Sequence, residues 1–118
     1  MDLAGHHVAV TGASTGIGRA AALMLASKGA TVSLIARSQD KLEALAAEIE
    51  AAAGKAASFP ADVANRTALE AAFDAAAARF GPVQGLFANA GFGGQFAPFT
   101  AFSDANWDAL IATNLTSV

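Results

Sequence analysis

Four short β-type runs alternate strictly with four helix-type runs, and that alternation constrains the fold more than any other feature of the chain. His7-Val8-Ala9-Val10-Thr11 is an apolar, β-branched run that stops at Gly12, the pattern of a buried strand. A helix is expected over 16–28, with Ile17, Ala20, Ala21 and Met24 on its inward face and Gly29 just past its end. Residues 31–36 read as the second strand. Ser38 is placed to N-cap a second helix with the apolar stripe Leu42, Leu45, Ala46 and Ile49, closed by Gly54. A weaker third strand is expected over 56–60, and Asn65 caps a third helix with Leu69, Phe73, Ala76 and Phe80 inward. Residues 83–89 read as the fourth strand. A Gly- and Phe-rich connection covers 91–103, and Asp104 opens a last helix carrying Trp107, Leu110, Ile111 and Leu115.

Alternating β and α units call for an α/β fold, a parallel sheet with helices on both faces. Right-handed crossovers and one reversal give the doubly wound strand order 3-2-1-4. The 118 residues allow one domain, and a chain of that length buries about 65% of the surface its unfolded form exposes. With 54% hydrophobic and 14% charged residues, disorder is excluded. The absence of cysteine excludes a disulfide scaffold, a zinc-thiolate site and a thiol nucleophile. A net charge of −3 lacks the basic footprint of a nucleic-acid binder. No apolar run is long enough to span a bilayer, and Met1-Asp2-Leu3-Ala4-Gly5 has no leader-type pattern, so no membrane partner and a cytoplasmic location are expected. His6 and His7 have no partner cluster, and no metal site is expected.

The last third differs in composition. Residues 80–118 contain no Lys or Arg, carry only Asp104 and Asp108 as charges, and hold seven of the nine aromatics. Such a stretch reads as built to be covered, and an apolar fourth strand at a sheet edge is what complete proteins avoid. The sequence is therefore expected to be an incomplete unit.

Thr11-Gly12-Ala13-Ser14-Thr15-Gly16-Ile17-Gly18 joins the first strand to the first helix. Gly12 permits a tight turn, Gly16 lets backbone approach an anion, and Gly18 lets the helix pack on the strand. The free amides and the positive helix end then face a pyrophosphate. A plain βα turn, with glycine serving conformation only, is the alternative.

These residues resemble the cofactor signature of short-chain dehydrogenases/reductases, a family with a Rossmann-type fold. Asp62-Val63 after the third strand matches the family's adenine-contacting pair. Ala88-Asn89-Ala90-Gly91 resembles its Asn-Asn-Ala-Gly motif, with Ala88 replacing the first Asn, and Thr113-Asn114 matches the position of its catalytic-tetrad asparagine. The resemblance runs over 3–118. It implies a dinucleotide-binding domain over 1–118, with Gly12, Ser14, Thr15, Gly16, Ile17, Gly18, Asp62, Val63, Asn89, Ala90 and Gly91 binding cofactor and Asn114 as the catalytic residue. On the residues alone, Asp62 also reads as a turn cap and Asn89 as a loop residue satisfying nearby backbone. Asn114 falls on an otherwise apolar helix face, where an unpartnered amide costs about 1–3 kcal/mol. The Phe-rich loop lines a substrate pocket in the family, and core or subunit interface are its other readings.

Charge narrows the cofactor. Where an acidic residue at the end of the second strand would bind the ribose of NAD, this chain has Ala36 followed by Arg37. A guanidinium there suits the 2′-phosphate of NADP, with Ser38 adding a hydroxyl. One such contact is worth about 1.5–3 kcal/mol, or roughly ten- to hundredfold in affinity. Thr15 stands where some NADP-dependent members carry a basic residue, so NADP over NAD rests on Arg37, for which a solvated surface residue is the alternative.

The family's Tyr-x-x-x-Lys pair has no counterpart here, because the chain contains no tyrosine. Two functional readings stand. The first is the NADP(H)-binding half of an oxidoreductase that moves hydride between NADP(H) and a carbonyl or alcohol, inactive alone, with a small-molecule substrate and a homo-oligomeric assembly expected of the whole protein. The second is a non-catalytic nucleotide-binding or assembly module. A flavodoxin-like domain is disfavoured by Asp62, Asn89 and Asn114.

Overall fold

A computed structural model describes residues 2–118; Met1, at the head of the N-terminal segment discussed above, lies outside them. Strands β1 (His7–Thr11), β2 (Thr31–Ile35), β3 (Lys55–Ser58) and β4 (Gly85–Ala88) form one sheet in the order β3-β2-β1-β4. All three pairings are parallel, with Val10 opposite Leu34 on one side and Phe87 on the other. Helices α1 (Gly16–Ser27), α2 (Gln39–Ala51) and α3 (Arg66–Phe80) fill the crossovers. The expected strand order is the observed one.

Successive strand side chains point to opposite faces, so each face needs its own cover. Val10, Val32, Leu34 and Ala56 meet Ala22 and Ala26 of α1 and Leu42, Leu45 and Ile49 of α2. On the other face Ala9, Ile35 and Ala61 meet Ala72 of α3, with Phe59, Leu69, Phe73 and Val83 half-buried around them. Helices therefore cover both faces. The α1/α2 side contains most of the large, fully buried side chains.

The first helix is rotated from its expected setting. Gly18, Ala22 and Ala26 are its buried residues, while Ile17 is 73% and Met24 61% exposed. The cause lies at the helix start, where a Cβ on Gly18 would overlap the Gly12 carbonyl oxygen and lie 2.6 Å from the Asn89 side-chain nitrogen. Backbone this close leaves room only for small residues on the sheet side, and size overrides the apolar period. The second helix buries Leu42, Leu45 and Ile49 as expected, with Ala46 half-buried. Asn65 caps α3 by accepting the Ala68 amide at 3.1 Å, whereas Ser38 occupies the N-cap of α2 without a side-chain cap bond. On α3 the alanines Ala72 and Ala76 are buried, and Leu69, Phe73 and Phe80 half-buried.

At the amino edge of the sheet the buried His7 ring lies edge-on to Phe80, with centroids 5.5 Å apart. Its Nδ1 lies 2.9 Å from the Gly81 carbonyl oxygen and its Nε2 2.6 Å from Ser33 Oγ. A carbonyl can only accept, which assigns the proton to Nδ1 and leaves Nε2 to accept from the serine.

The fourth strand is shorter than the expected 83–89. On it Leu86 is 56% exposed. After a 3-10 turn at Phe99–Ala101, Ser103 caps α4 (Asp104–Ile111) by accepting the Asn106 amide, and the chain passes directly into a π-turn at Ala112–Thr116. Trp107 and Leu115 are 55% and 67% exposed. The side chains of this segment bond instead to the loop after β4. No helix among the described residues is long and apolar enough to cross a membrane.

Candidate functional site

Parallel strands bring their carboxyl ends to one edge, and the segments leaving that edge hold nearly every site residue expected from the sequence. The turn 11–18 leaves β1 at the centre. Arg37-Ser38 and Asp62-Val63 follow β2 and β3 on one side, and Asn89-Ala90-Gly91 follows β4 on the other.

The central turn is held from both neighbours. Ala13 donates its amide to the Ile35 carbonyl at 3.3 Å. From the other side, the buried Thr11 hydroxyl accepts the amides of Asn89 and Ala90, each at 3.1 Å, and Asn89 Nδ2 donates to the Gly12 carbonyl at 3.4 Å. Thr11 belongs to the motif but has no role assignable from sequence. Nothing in the sequence marks its hydroxyl as the link to a segment 78 residues away. Asn89 contacts backbone, as its second reading held, but that backbone is the glycine turn rather than its own loop.

The three glycines of the turn have different surroundings. Gly12 has φ +66°, and a Cβ there would lie 3.0 Å from the Ala90 Cα. Gly18 is closed by the Gly12 carbonyl. Gly16 has φ +57° with nothing within 4 Å of where its Cβ would project. Two glycines thus serve packing against the molecule, and the third faces open space. Beside it, Thr15 is the N-cap of α1 and makes no side-chain cap bond, nor does Ser38 on α2. Helices α3 and α4, which start away from the turn, are both capped by side chains. First-turn amides lack intrahelical acceptors, so α1 presents donors and a positive dipole end to the space before Gly16. Ile17 is exposed there, and Ser14 half-buried.

Arg37 is exposed two residues beyond the partner of Thr11 in the ladder, and it forms no ion pair among the described residues. Arg19 and Arg66, by contrast, pair with Glu48 and Glu70. Ala36, ahead of Arg37, is buried and contributes no acid. Asp62 caps its own turn, accepting the Ala64 amide at 3.0 Å, while Val63 beside it is buried.

Asn114 sits in the π-turn rather than on an α-helical face, and both its carbonyl oxygen and its amino group are hydrogen-bonded. Oδ1 accepts the Phe92 amide and Nδ2 donates to the Phe92 carbonyl, both at 2.9 Å. It is thereby joined to the segment just beyond Gly91. Buried Asn106, which the sequence reading missed, makes the same two-bond contact with Gln95 at 3.0 Å for each bond.

Against known proteins, a family model described as short chain dehydrogenase matches residues 6–118. The levodione reductase of Leifsonia aquatica is 38% identical over 113 residues, covering 94% of this chain and 42% of that protein. A 3-ketoacyl-ACP reductase from Sinorhizobium meliloti superposes with a TM-score of 0.92 at 38% identity, over 94% of this chain and 44% of the other. A metagenomic short-chain oxidoreductase solved in complex with NADP gives a TM-score of 0.91 at 43% identity, over 98% of this chain and 52% of that one. The chain spans about half the length of the curated relatives it matches.

Proposed function

The chain belongs to the short-chain dehydrogenase family, and from that premise we propose that it binds NADP(H) along the carboxyl edge of its sheet, as the cofactor-binding part of an oxidoreductase acting on a small carbonyl or alcohol. The observation that carries this reading is an open Gly16 cradle after β1 together with an exposed Arg37 after the neighbouring strand β2, which forms no ion pair among the described residues.

The residues present suit that cofactor. The α1 amides and the backbone at Gly16 would hold the pyrophosphate, because a glycine facing open space lets phosphate oxygens approach the main chain. Arg37, with the Ser38 hydroxyl, would hold the 2′-phosphate, where an exposed guanidinium contributes charge and planar donors. Asp62 and Val63 lie on the same side, one strand further out, and would contact the adenine. The other end of the dinucleotide would then lie toward Asn89, Ala90 and Gly91, which follow β4 on the opposite side of the turn. Bound in this way, NADP(H) supplies or accepts the hydride. The chain's own residues bind it, orient it and fix the loop beside it. Without a tyrosine, these 118 residues are assigned no proton transfer.

The NADP complex of one structural relative and the ketone-reducing names of two others support the cofactor and the carbonyl substrate class. The exposed Leu86, Phe96, Phe99 and Trp107 support a working form in which this surface is covered, and a homo-oligomer is the assembly proposed. The test is a pair of titrations by calorimetry or nucleotide fluorescence. NADPH is expected to bind about tenfold or more tightly than NADH, and Arg37→Ala to remove most of the difference. Equal affinities in the unaltered chain would refute the NADP assignment, and no binding of either nucleotide would refute the cofactor reading.

A further inference from the structure

Gly94, after β4, has a partner that no motif accounts for. Gly94 adopts φ +67°, and a Cβ there would lie 2.5 Å from Asn106 Oδ1 and 3.0 Å from Leu110 Cγ. Gly91 is similarly close, with its Cβ position 3.0 Å from Asn114 Oδ1. The loop therefore lies directly against the last helical segment, and the two asparagines occupy the points of nearest approach.

Each asparagine treats the loop as a strand treats its neighbour. Asn114 pairs with both backbone groups of Phe92, and Asn106 with both backbone groups of Gln95. Asn106 is 9% exposed, so its amide is committed to this contact. Beside the clamp is a concavity of about 400 Å³ lined by Phe92, Gly94, Gln95, Ser103, Asn106 and Ala109.

We propose that Asn106 is a positioning residue which, with Asn114, pins residues 92–95 as a fixed wall at the nicotinamide end of the site. The proposal rests on the cofactor reading above, in which Arg37 marks the adenosine end and the β4 side receives the nicotinamide. Residues 92–95 follow Gly91 directly, so their placement governs the space in front of that end and not the space near Arg37. Without the Asn106 bonds this clamp would keep only its hydrogen bonds at Phe92, and the loop's three glycines would let the remainder swing away.

The test separates the two ends of the ligand. NADPH and 2′-phospho-ADP-ribose, which lacks nicotinamide, are titrated into the full chain and into Asn106→Ala and Asn106→Asp, with amide hydrogen exchange followed at Phe92 and Gln95. Asn106→Ala is expected to speed exchange at Gln95 about tenfold, weaken NADPH several-fold and leave phospho-ADP-ribose within about twofold. Asn106→Asp keeps an acceptor for the Gln95 amide and loses the donor, and should fall between. Gly94→Ala attacks the same clamp from the loop side and should repeat the pattern if Asn106→Ala does not fold. Unchanged exchange at Gln95, or equal weakening of both nucleotides, would overturn the proposal. Failure of the unaltered chain to bind either nucleotide would refute the cofactor reading and the nicotinamide role with it, while exchange at Gln95 would still decide the clamp.

Discussion

The Thr11 hydroxyl accepts the Asn89 amide at 3.1 Å, and this bond joins the last residue of β1 to the first residue after β4. A second bond from Ala90 to the same oxygen makes Thr11 the point where the glycine turn and the β4 loop are set relative to each other. At the opposite end of β1, His7 is joined in the same way, its amide donating to the Gln84 side chain and its carbonyl accepting the Gln84 amide. The β4 strand, open along its outer side, is thus secured at both ends through β1.

Replacing Thr11 tests that arrangement. Thr11→Val keeps shape but removes the acceptor of the half-buried Ala90 amide and one of the two acceptors of the Asn89 amide, which keeps the Phe87 carbonyl, and should cost about 1–2 kcal/mol in unfolding free energy. Thr11→Ser keeps the oxygen and should cost less than about 1 kcal/mol. Chemical denaturation of the two variants reads the difference, and a larger loss for Thr11→Ser than for Thr11→Val would show that the methyl, not the hydroxyl, matters.

The glycines of the turn should separate stability from binding. Gly18→Ala places a methyl on the Gly12 carbonyl and should destabilise the fold by about 3 kcal/mol. A Cβ at Gly16 would meet nothing within 4 Å, so the main cost of Gly16→Val is the strain of its positive φ, about 1–2 kcal/mol, and it should abolish binding of NADPH and NADH alike. A folded Gly16→Val that binds normally would refute the phosphate-cradle reading.

Most of the fold was legible because strand and helix periods are short-range signals, and parallel α/β topology allows few arrangements. The carboxyl-edge cluster followed from the same topology, since every βα segment must leave that edge. The setting of α1 was not legible. Periodicity finds the large apolar residues Ile17 and Met24, whereas the closeness of Gly18 to Gly12 decides which residues fit against the sheet. His7 and Asn106 were hidden because their partners, Ser33, Gly81 and Gln95, are ordinary residues brought together only by folding. The spacing of Gly91 and Gly94 was the one available hint of the loop's approach to a helix.

Ionic strength gives an independent check on Arg37. Because the side chain is exposed, its attraction for a 2′-phosphate is screened by salt, with a Debye length falling from about 10 Å at 0.1 M to about 3 Å at 1 M. The NADPH-to-NADH affinity ratio should therefore narrow as salt rises, and in Arg37→Ala it should be nearly flat. A ratio independent of salt in the unaltered chain would mean that the preference arises elsewhere.

The buried His7 should matter to folding and not to the site. Its ring joins β2 through Ser33 and the α3–β4 turn through Gly81, four residues along β1 from the turn that begins at Thr11. His7→Leu leaves the Gly81 carbonyl without its side-chain donor and the Ser33 hydroxyl without its acceptor, at a cost of about 2–3 kcal/mol. Ser33→Ala alone leaves one ring nitrogen unmatched and should cost about 1–2 kcal/mol. Once the ring is gone the serine has nothing to lose, so the double variant should be less destabilised than the sum of the singles. Urea unfolding of the four proteins closes that cycle. NADPH affinity, measured well below each unfolding midpoint, should be unchanged throughout, and a parallel loss of affinity would show that the amino edge of the sheet is coupled to the carboxyl edge.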